Sequence, residues 1–354
     1  MKTTAAQASA APASQLRFRD PQIEMAHGAG GKASRRLVEG LFAPLLGGAL
    51  LEPLADAATL ELDGTRLALT ADSFVVRPLR FPGGSIGELA VNGTVNDLAV
   101  SAARPLALLV TFVIEEGIAT ATLEAEVRAI ADAARRAGVE VVGGDTKVVE
   151  RGNADGMYVT TAGVGRVDPR TRCAASAVRP GDQVLLSGPI GDHGITILLA
   201  RGDIELEAEL RSDTRSVYPM VESLLAAAAA DVHWMRDPTR GGVATALNEL
   251  ARDSRLGVVL VEEAISVRDA VRGACELLGL DPLHIANEGQ FLAVVAPAAA
   301  EAALAAVRSV PGGEAAAIIG EVREQPARTV LAAAAYGGTR VVDMLVGDPL
   351  PRIC

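Results

Sequence analysis

A chain of 354 residues with a net charge of −11 and ten aromatic residues, six Phe, three Tyr and one Trp, offers neither a basic stripe nor a stacking surface for nucleic acid. Apolar residues make up 49% and charged residues 22%, which excludes a disordered chain and suits two ordinary domains with sizeable cores. Cys173, Cys275 and Cys354 lie far apart without a CxxC pair or zinc-type His spacing, and no apolar run of about eighteen residues marks a membrane span.

The Ala/Ser-rich residues 1–20 carry no apolar stretch of the secretory kind, so they read as a disordered tail, and the cytoplasm is the expected compartment. Residues 21–177 are expected as a first domain. In it, "QIEMAHGAGGKASRRLVEGLF" runs from a short alternating segment through a glycine turn into a helix, and "RLALTADSF" alternates as a strand ending at Asp72. "IGELAVNGTVNDLAVSAARP" predicts a helix broken near Asn92-Gly93 and resumed at Asn96, which can serve as its N-cap. "LALLVTFVIEE" is a buried strand. Leu123, Val127, Ile130 and Ala134 then predict a helix over 122–137 closed by Gly138, and two strand-like segments follow.

Pro, Gly and charge near residue 177 interrupt this pattern, and strands and helices resume in a second expected domain over 178–342. Residues 343–354 predict a flexible tail kept extended by Pro349 and Pro351, in which Cys354, twelve residues along, could reach about 40 Å. The fold class is therefore α/β, in α+β layers.

Several residues stand where chemistry is possible. "HGAGGKAS" lacks the first Gly and the Ser/Thr of a Walker motif, although glycine N–H groups and Lys32 could still meet phosphate. Asp72 and Asp145 close strands, and Asp97 and Asp237 sit in "VNDLA" and "RDPTRGG". Each alone is more often a cap or turn residue; together beside glycines they could hold Mg²⁺ on a nucleotide. Arg240 and its glycines stand at a helix start suited to an anion. Lys147 among Val148 and Val149 could be partly desolvated for proton transfer, and Glu288 before a buried strand could be a base.

The blocks "HGAGGKA", "TADSFVVRPLRFPGGSIGELAVNGTVNDLAV", "VVGGDTKVVERG", "SGPIGDHG", "RDPTRGGV", "GACELLGLDPLHIANEG" and "PRIC" resemble, in order from about residue 23 to 354, the HypE family of hydrogenase maturation proteins, within the PurM-like superfamily of ATP-using enzymes. The resemblance implies a dimer of two-domain subunits joined through the N-terminal sheet. It implies dehydration of a carbamoyl group on Cys354 to a thiocyanate, after loading by a HypF-like carbamoyltransferase and before delivery to a HypC–HypD-like iron carrier. It assigns Cys354, Lys147 and Glu288 to catalysis and Asp72, Asp97 and Asp237 to the metal. Gly30, Gly31, Lys32, Asp72, Asn96, Asp97, Asp145, Thr146 and Arg240 are assigned to ATP and its phosphates. An amide oxygen is a poor leaving group until phosphorylated, and charge neutralisation by carboxylate-held Mg²⁺ suits that step. A selenophosphate synthetase would need a Cys or selenocysteine beside the glycine turn, and none precedes Cys173. A thiol carrier that binds nucleotide without catalysis is the other alternative.

Overall fold

The computed structural model describes residues 17–47, 55–202, 208–334, 336–347, 350 and 352–354. The tail expected over 1–20 thus lies largely outside the described residues.

The first domain opens with two short helices, α1 (Gly31–Leu37) and α2 (Ala43–Leu46). It then builds one sheet from β1 (Ala58–Leu62), β2 (Thr65–Phe74), β5 (Ala103–Glu115), β6 (Glu140–Val149) and β7 (Met157–Val167) in the order β1-β2-β7-β5-β6. A small hairpin, β3 (Arg80–Phe81) and β4 (Gly84–Ser85), leads into α3 (Ile86–Val100), and α4 (Thr120–Ala137) follows β5. Strand β2 runs two residues beyond the expected stop at Asp72. The α4 helix ends as its sequence predicts, with Gly138 left-handed at φ +68° and donating to Ala134 and Arg135 carbonyls.

The predicted break in α3 is absent. Every residue of α3 except Glu88 is buried, so packing overrides the local cost of Gly93. The glycine is required by a neighbour: a Cβ there would lie 2.8 Å from the Phe74 ring. A helix buried on all sides that carries Asn92, Asn96 and Asp97 holds polar groups in a setting where each needs a partner.

α3 and α4 cover one face of the sheet. The other face leaves Leu60, Leu62, Leu69 and Leu109 at 38–60% exposure, a bare apolar surface rather than scattered single residues. β6 is an edge strand, paired among the described residues only with β5 and exposed almost throughout.

The second domain has a seven-stranded mixed sheet in the order β14-β13-β10-β12-β8-β11-β9. Its strands are β8 (Gln183–Leu186), β9 (Val232–Arg236), β10 (Gly257–Val261), β11 (Leu292–Val295), β12 (Ala317–Arg323), β13 (Val330–Ala333) and β14 (Thr339–Val342). β9 was not foreseen. Its helices are α5 (Asp192–Arg201), α6 (Tyr218–Ala228), α7 (Gly242–Ser254), α8 (Asp269–Leu278) and α9 (Ala300–Arg308). One core sits under α7, and another joins α6 and α9 to the end of α3. A third combines α3 and α4 with Ile195, Val271, Leu350 and Ile353, so the domains share apolar contacts.

Candidate active site

Buried helix α3, the end of β2 and the entries to α7 and β11 converge on a cavity of about 210 Å³. Its walls include Asp56, Asp72, Asp97, Asp237, Arg236, Arg240, Glu288 and Cys354. Carboxylate oxygens of Asp56, Asp97 and Asp237 all lie within 4.8 Å of one another. Thr70 donates to Asp97 at 2.6 Å. Arg236 pairs with Asp56 at 2.8 Å and with Glu249 at 2.9 Å. Arg240 donates to the Gly28 carbonyl at 2.6 Å, which ties the "RDPTRGG" loop to the glycine turn.

Crowding like charges in a dry site raises their proton affinity. Burial pushes Asp56 up to about 6, with Arg236 pulling the other way and Glu249 adding repulsion. Burial, then Asp72 and Asp237, hold Asp97 well above the ordinary carboxylate range. Burial and Asp56 do the same to Asp237, while Asp72 is raised by burial against the pull of Arg240. Glu288 is raised well above its range by burial and then by Asp237, Asp213 and Asp72. An all-oxygen, multiply anionic donor set of this kind fits a hard cation such as Mg²⁺.

The sign of the resulting pH dependence follows. A carboxyl raised in the folded state stabilises the fold below its unfolded value and loses that contribution as pH rises, for Asp56 through about 6. Metal-free protein, compared with Asp97→Asn so that the surface carboxylates cancel, is expected to gain thermal stability on acidification from about pH 7 to 5. Mg²⁺ should raise the melting temperature more at the upper pH. Calorimetric scans showing an equal Mg²⁺ effect at both pH values would dismiss the cluster as a cation site.

Cys354 reaches this cavity because the expected mobile tail is seated. Leu350 and Ile353 are buried, Val75 N–H donates to the Cys354 carbonyl at 3.0 Å, and His193 Nε2 meets the Ile353 carbonyl at 2.7 Å. Arg352 pairs with Asp155, and Arg201 donates to the Arg352 carbonyl. Burial drives His193 down to about 4, so the neutral ring donates Nε2–H there and accepts at Nδ1 from Ser212.

Other expected residues lie elsewhere. Gly30 and Gly31 adopt φ +78° and +72°, and Gly31 packs so closely on the Leu345 carbonyl that a Cβ would lie 2.5 Å from it. Lys32 pairs with Asp343 at 2.7 Å instead of facing the carboxylates. Asn96 is neither an N-cap nor open to a phosphate. Its amide donates to the Arg215 and Glu288 carbonyls at 3.0 and 3.2 Å and accepts from Val217 N–H at 2.8 Å, clasping the two domains.

Asp145, Thr146 and Lys147 sit on edge strand β6, three strand spacings or about 14 Å across the sheet from Asp72. Lys147 is not desolvated: its side chain is 66% exposed and 2.5 Å from Asp145, on an edge strand exposed almost throughout. That lysine, with the Thr146 N–H, holds the Asp145 carboxyl below its usual range. Two charged residues of the cavity escaped the sequence reading, Asp56 and Arg236. The Arg-Asp doublet in "RDPTRGG" was a usable signal for Arg236, since a buried carboxylate calls for a cation. Asp56 before β1 looks like any strand-leading acid.

Residues 54–167 match the AIR synthase related protein, N-terminal domain, and residues 179–332 match the corresponding C-terminal domain. The carbamoyl dehydratase HypE of Azotobacter vinelandii is 49% identical over 341 residues, covering 96% of this chain and 100% of the relative. The chain belongs to the HypE family of carbamoyl dehydratases, enzymes of hydrogenase maturation. A crystal structure of HypE in complex with ATP superposes with TM-score 0.78 and 45% identity over 93% of this chain and 99% of that one. A HypE–HypF complex gives TM-score 0.83 at 41% identity over 87% and 99%. The two-domain α/β architecture is therefore that of HypE. No described helix is long and apolar enough to cross a membrane.

Proposed function

We propose that this chain dehydrates a carbamoyl group carried on the Cys354 sulfur to a thiocyanate, with ATP and Mg²⁺, in the cavity formed by Asp56, Asp72, Asp97, Asp237 and Glu288. The observation that carries the reading is that Cys354 lines the same cavity as the carboxylates. Mg·ATP would supply the phosphoryl group that turns the amide oxygen into a leaving group. Asp56, Asp97 and Asp237 would hold the cation, and Arg240 would face the anionic phosphates. Glu288, raised toward neutrality, is suited to accept the amide nitrogen's protons, and charge relief at Asp237 would let it ionise. His193 and Arg201 would hold the tail backbone, and Asp155 the Arg352 side chain, while this happens.

The bare apolar face of the N-terminal sheet supports a homodimer, and only in a dimer could Lys147 approach a carboxylate cavity, that of the second copy. A HypF-like carbamoyltransferase as donor is supported by the relative crystallised with HypF. A HypC–HypD-like iron carrier as acceptor, and the cytoplasm as compartment, complete the proposal.

Carbamoylated protein incubated with Mg·ATP should release ADP and phosphate while the Cys354 peptide loses the mass of one water. An unchanged peptide mass with nucleotide bound would favour the thiol carrier. Glu288→Gln should keep ATP affinity and slow single-turnover dehydration by about 10²-fold or more. An unaltered rate would move the base elsewhere.

A further inference from the structure

Cys354 and Glu288 face the same cavity, yet neither belongs to a regular element: one closes the tail and the other sits in the loop before β11. A reaction between groups on two such segments depends on what fixes both. Residues 208–217, ahead of α6, carry neither helix nor strand, and they are bonded to the Glu288 loop directly and to the tail through His193.

An irregular segment between two domains must find partners for its backbone polar groups one at a time. Ser212 N–H donates to the Pro82 carbonyl at 2.9 Å, in the β3–β4 turn. Gly83 beside it approaches so closely that a Cβ there would lie 2.7 Å from the Ser212 carbonyl oxygen. Arg215 N–H donates to the Glu288 carbonyl at 3.4 Å, and the Arg215 side chain donates to the Gly289 carbonyl at 2.9 Å. The segment is thus fixed on the first domain at one end and on the Glu288 loop at the other.

Between those ends, two adjacent side chains take different partners. Ser212 Oγ–H donates to His193 Nδ1 at 2.8 Å and accepts from Thr214 N–H at 3.1 Å, so the hydroxyl has one orientation. A neutral imidazole that accepts at Nδ1 must donate at Nε2, the atom that meets the Ile353 carbonyl next to Cys354. Asp213 accepts from Glu288 N–H through one carboxylate oxygen at 3.0 Å and from Gly289 N–H through the other at 3.2 Å. Glycine at 289 is needed for this fit, since a Cβ there would overlap the Asp213 carbonyl.

We propose that Ser212 and Asp213 are positioning residues for the dehydration: Ser212 seats the thiol end of the chain through His193, and Asp213 sets the backbone of the base Glu288. The role of Asp213 rests on the dehydratase reading above, whereas that of Ser212 is independent of it. Both residues share one peptide unit pinned to the first domain by Pro82, so a single anchor sets the spacing of sulfur and base. Neither side chain touches the reacting atoms; each acts through the group it holds.

The test uses full-length protein in two states. In unloaded protein, iodoacetamide alkylates Cys354 at a rate that follows the fraction of unseated tail, read on the tail peptide by mass spectrometry. Ser212→Ala should raise that rate about fivefold or more, and Ser212→Thr, which keeps the hydroxyl, should restore it. Equal rates in Ser212→Ala and wild type would overturn the role of Ser212. In carbamoylated protein, Asp213→Asn should slow single-turnover dehydration by about tenfold or more, with Mg·ATP affinity within about twofold of wild type and Cys354 alkylation unchanged. Asp213→Glu keeps the charge but carries its oxygens one methylene further, against a loop with no room to retreat, so it should also be slow. Full activity in either variant, or parallel losses of ATP affinity and rate in Asp213→Asn, would overturn the role of Asp213 and leave the dehydratase reading standing. Absence of dehydration in the wild type would instead overturn both.

Discussion

Cys354→Ala should abolish nitrile formation while changing Mg·ATP affinity by less than about twofold. The tail is anchored by groups that alanine keeps. The Cys354 carbonyl still accepts from Val75, the Ile353 carbonyl still meets His193, and Leu350 and Ile353 remain buried. Only the sulfur is lost from the cavity. Neither remaining cysteine can replace it: burial pushes the Cys173 thiol up to about 12 and Cys275 up to about 11, so both stay protonated and unreactive. The checks are mass spectrometry of the tail peptide after loading and ATP exposure, and calorimetry of nucleotide binding. Any nitrile recovered from the variant would remove Cys354 from the mechanism.

The second large effect has two opposite signs. Asp237→Asn should reduce turnover by about 10³-fold or more, since one of the three clustered carboxylates that would hold a cation against the phosphates is lost. The same change should stabilise the metal-free fold by about 1 kcal/mol or more, a rise of roughly 2–4 °C, because a buried carboxyl repelled by Asp56 and Asp72 is replaced by a neutral group. Arg236 is not orphaned, since its ion pairs run to Asp56 and Glu249. An ordinary structural aspartate would lower both activity and stability. Parallel losses in activity assays and metal-free melting would therefore reject the cation role.

The fold was most legible where local pattern and packing agree. Ile130 and Ala134 with Gly138 marked α4, and alternation marked β2. It was least legible where a distant ring decides, as when Phe74 fits over Gly93 and keeps α3 continuous. At the site, Asp72, Asp97, Asp237, Arg240 and Glu288 were visible because several acids and an arginine recur at strand ends and helix entries, although each alone is a common cap, turn or loop residue. Asn96 misled because its work is long-range: both of its functional atoms are taken by the second domain. Lys147 misled because neighbouring valines were read as burial, whereas they lie on an uncovered edge. Asp56 and Arg236 owe their importance to the convergence of β1 and β9, which no local window contains.

The glycine turn also limits how far the Cys354 sulfur can travel. Lys32 and Ala33 N–H groups donate to the Leu345 and Val346 carbonyls at 3.0 and 2.9 Å, so the backbone there is stitched to α1. The seven residues beyond Gly347 would span about 25 Å at full stretch, well short of the reach from Asp343. On the proposed function, a protein that loads or unloads this thiol would have to bring its own cleft to the rim of this subunit rather than wait for a long swinging arm.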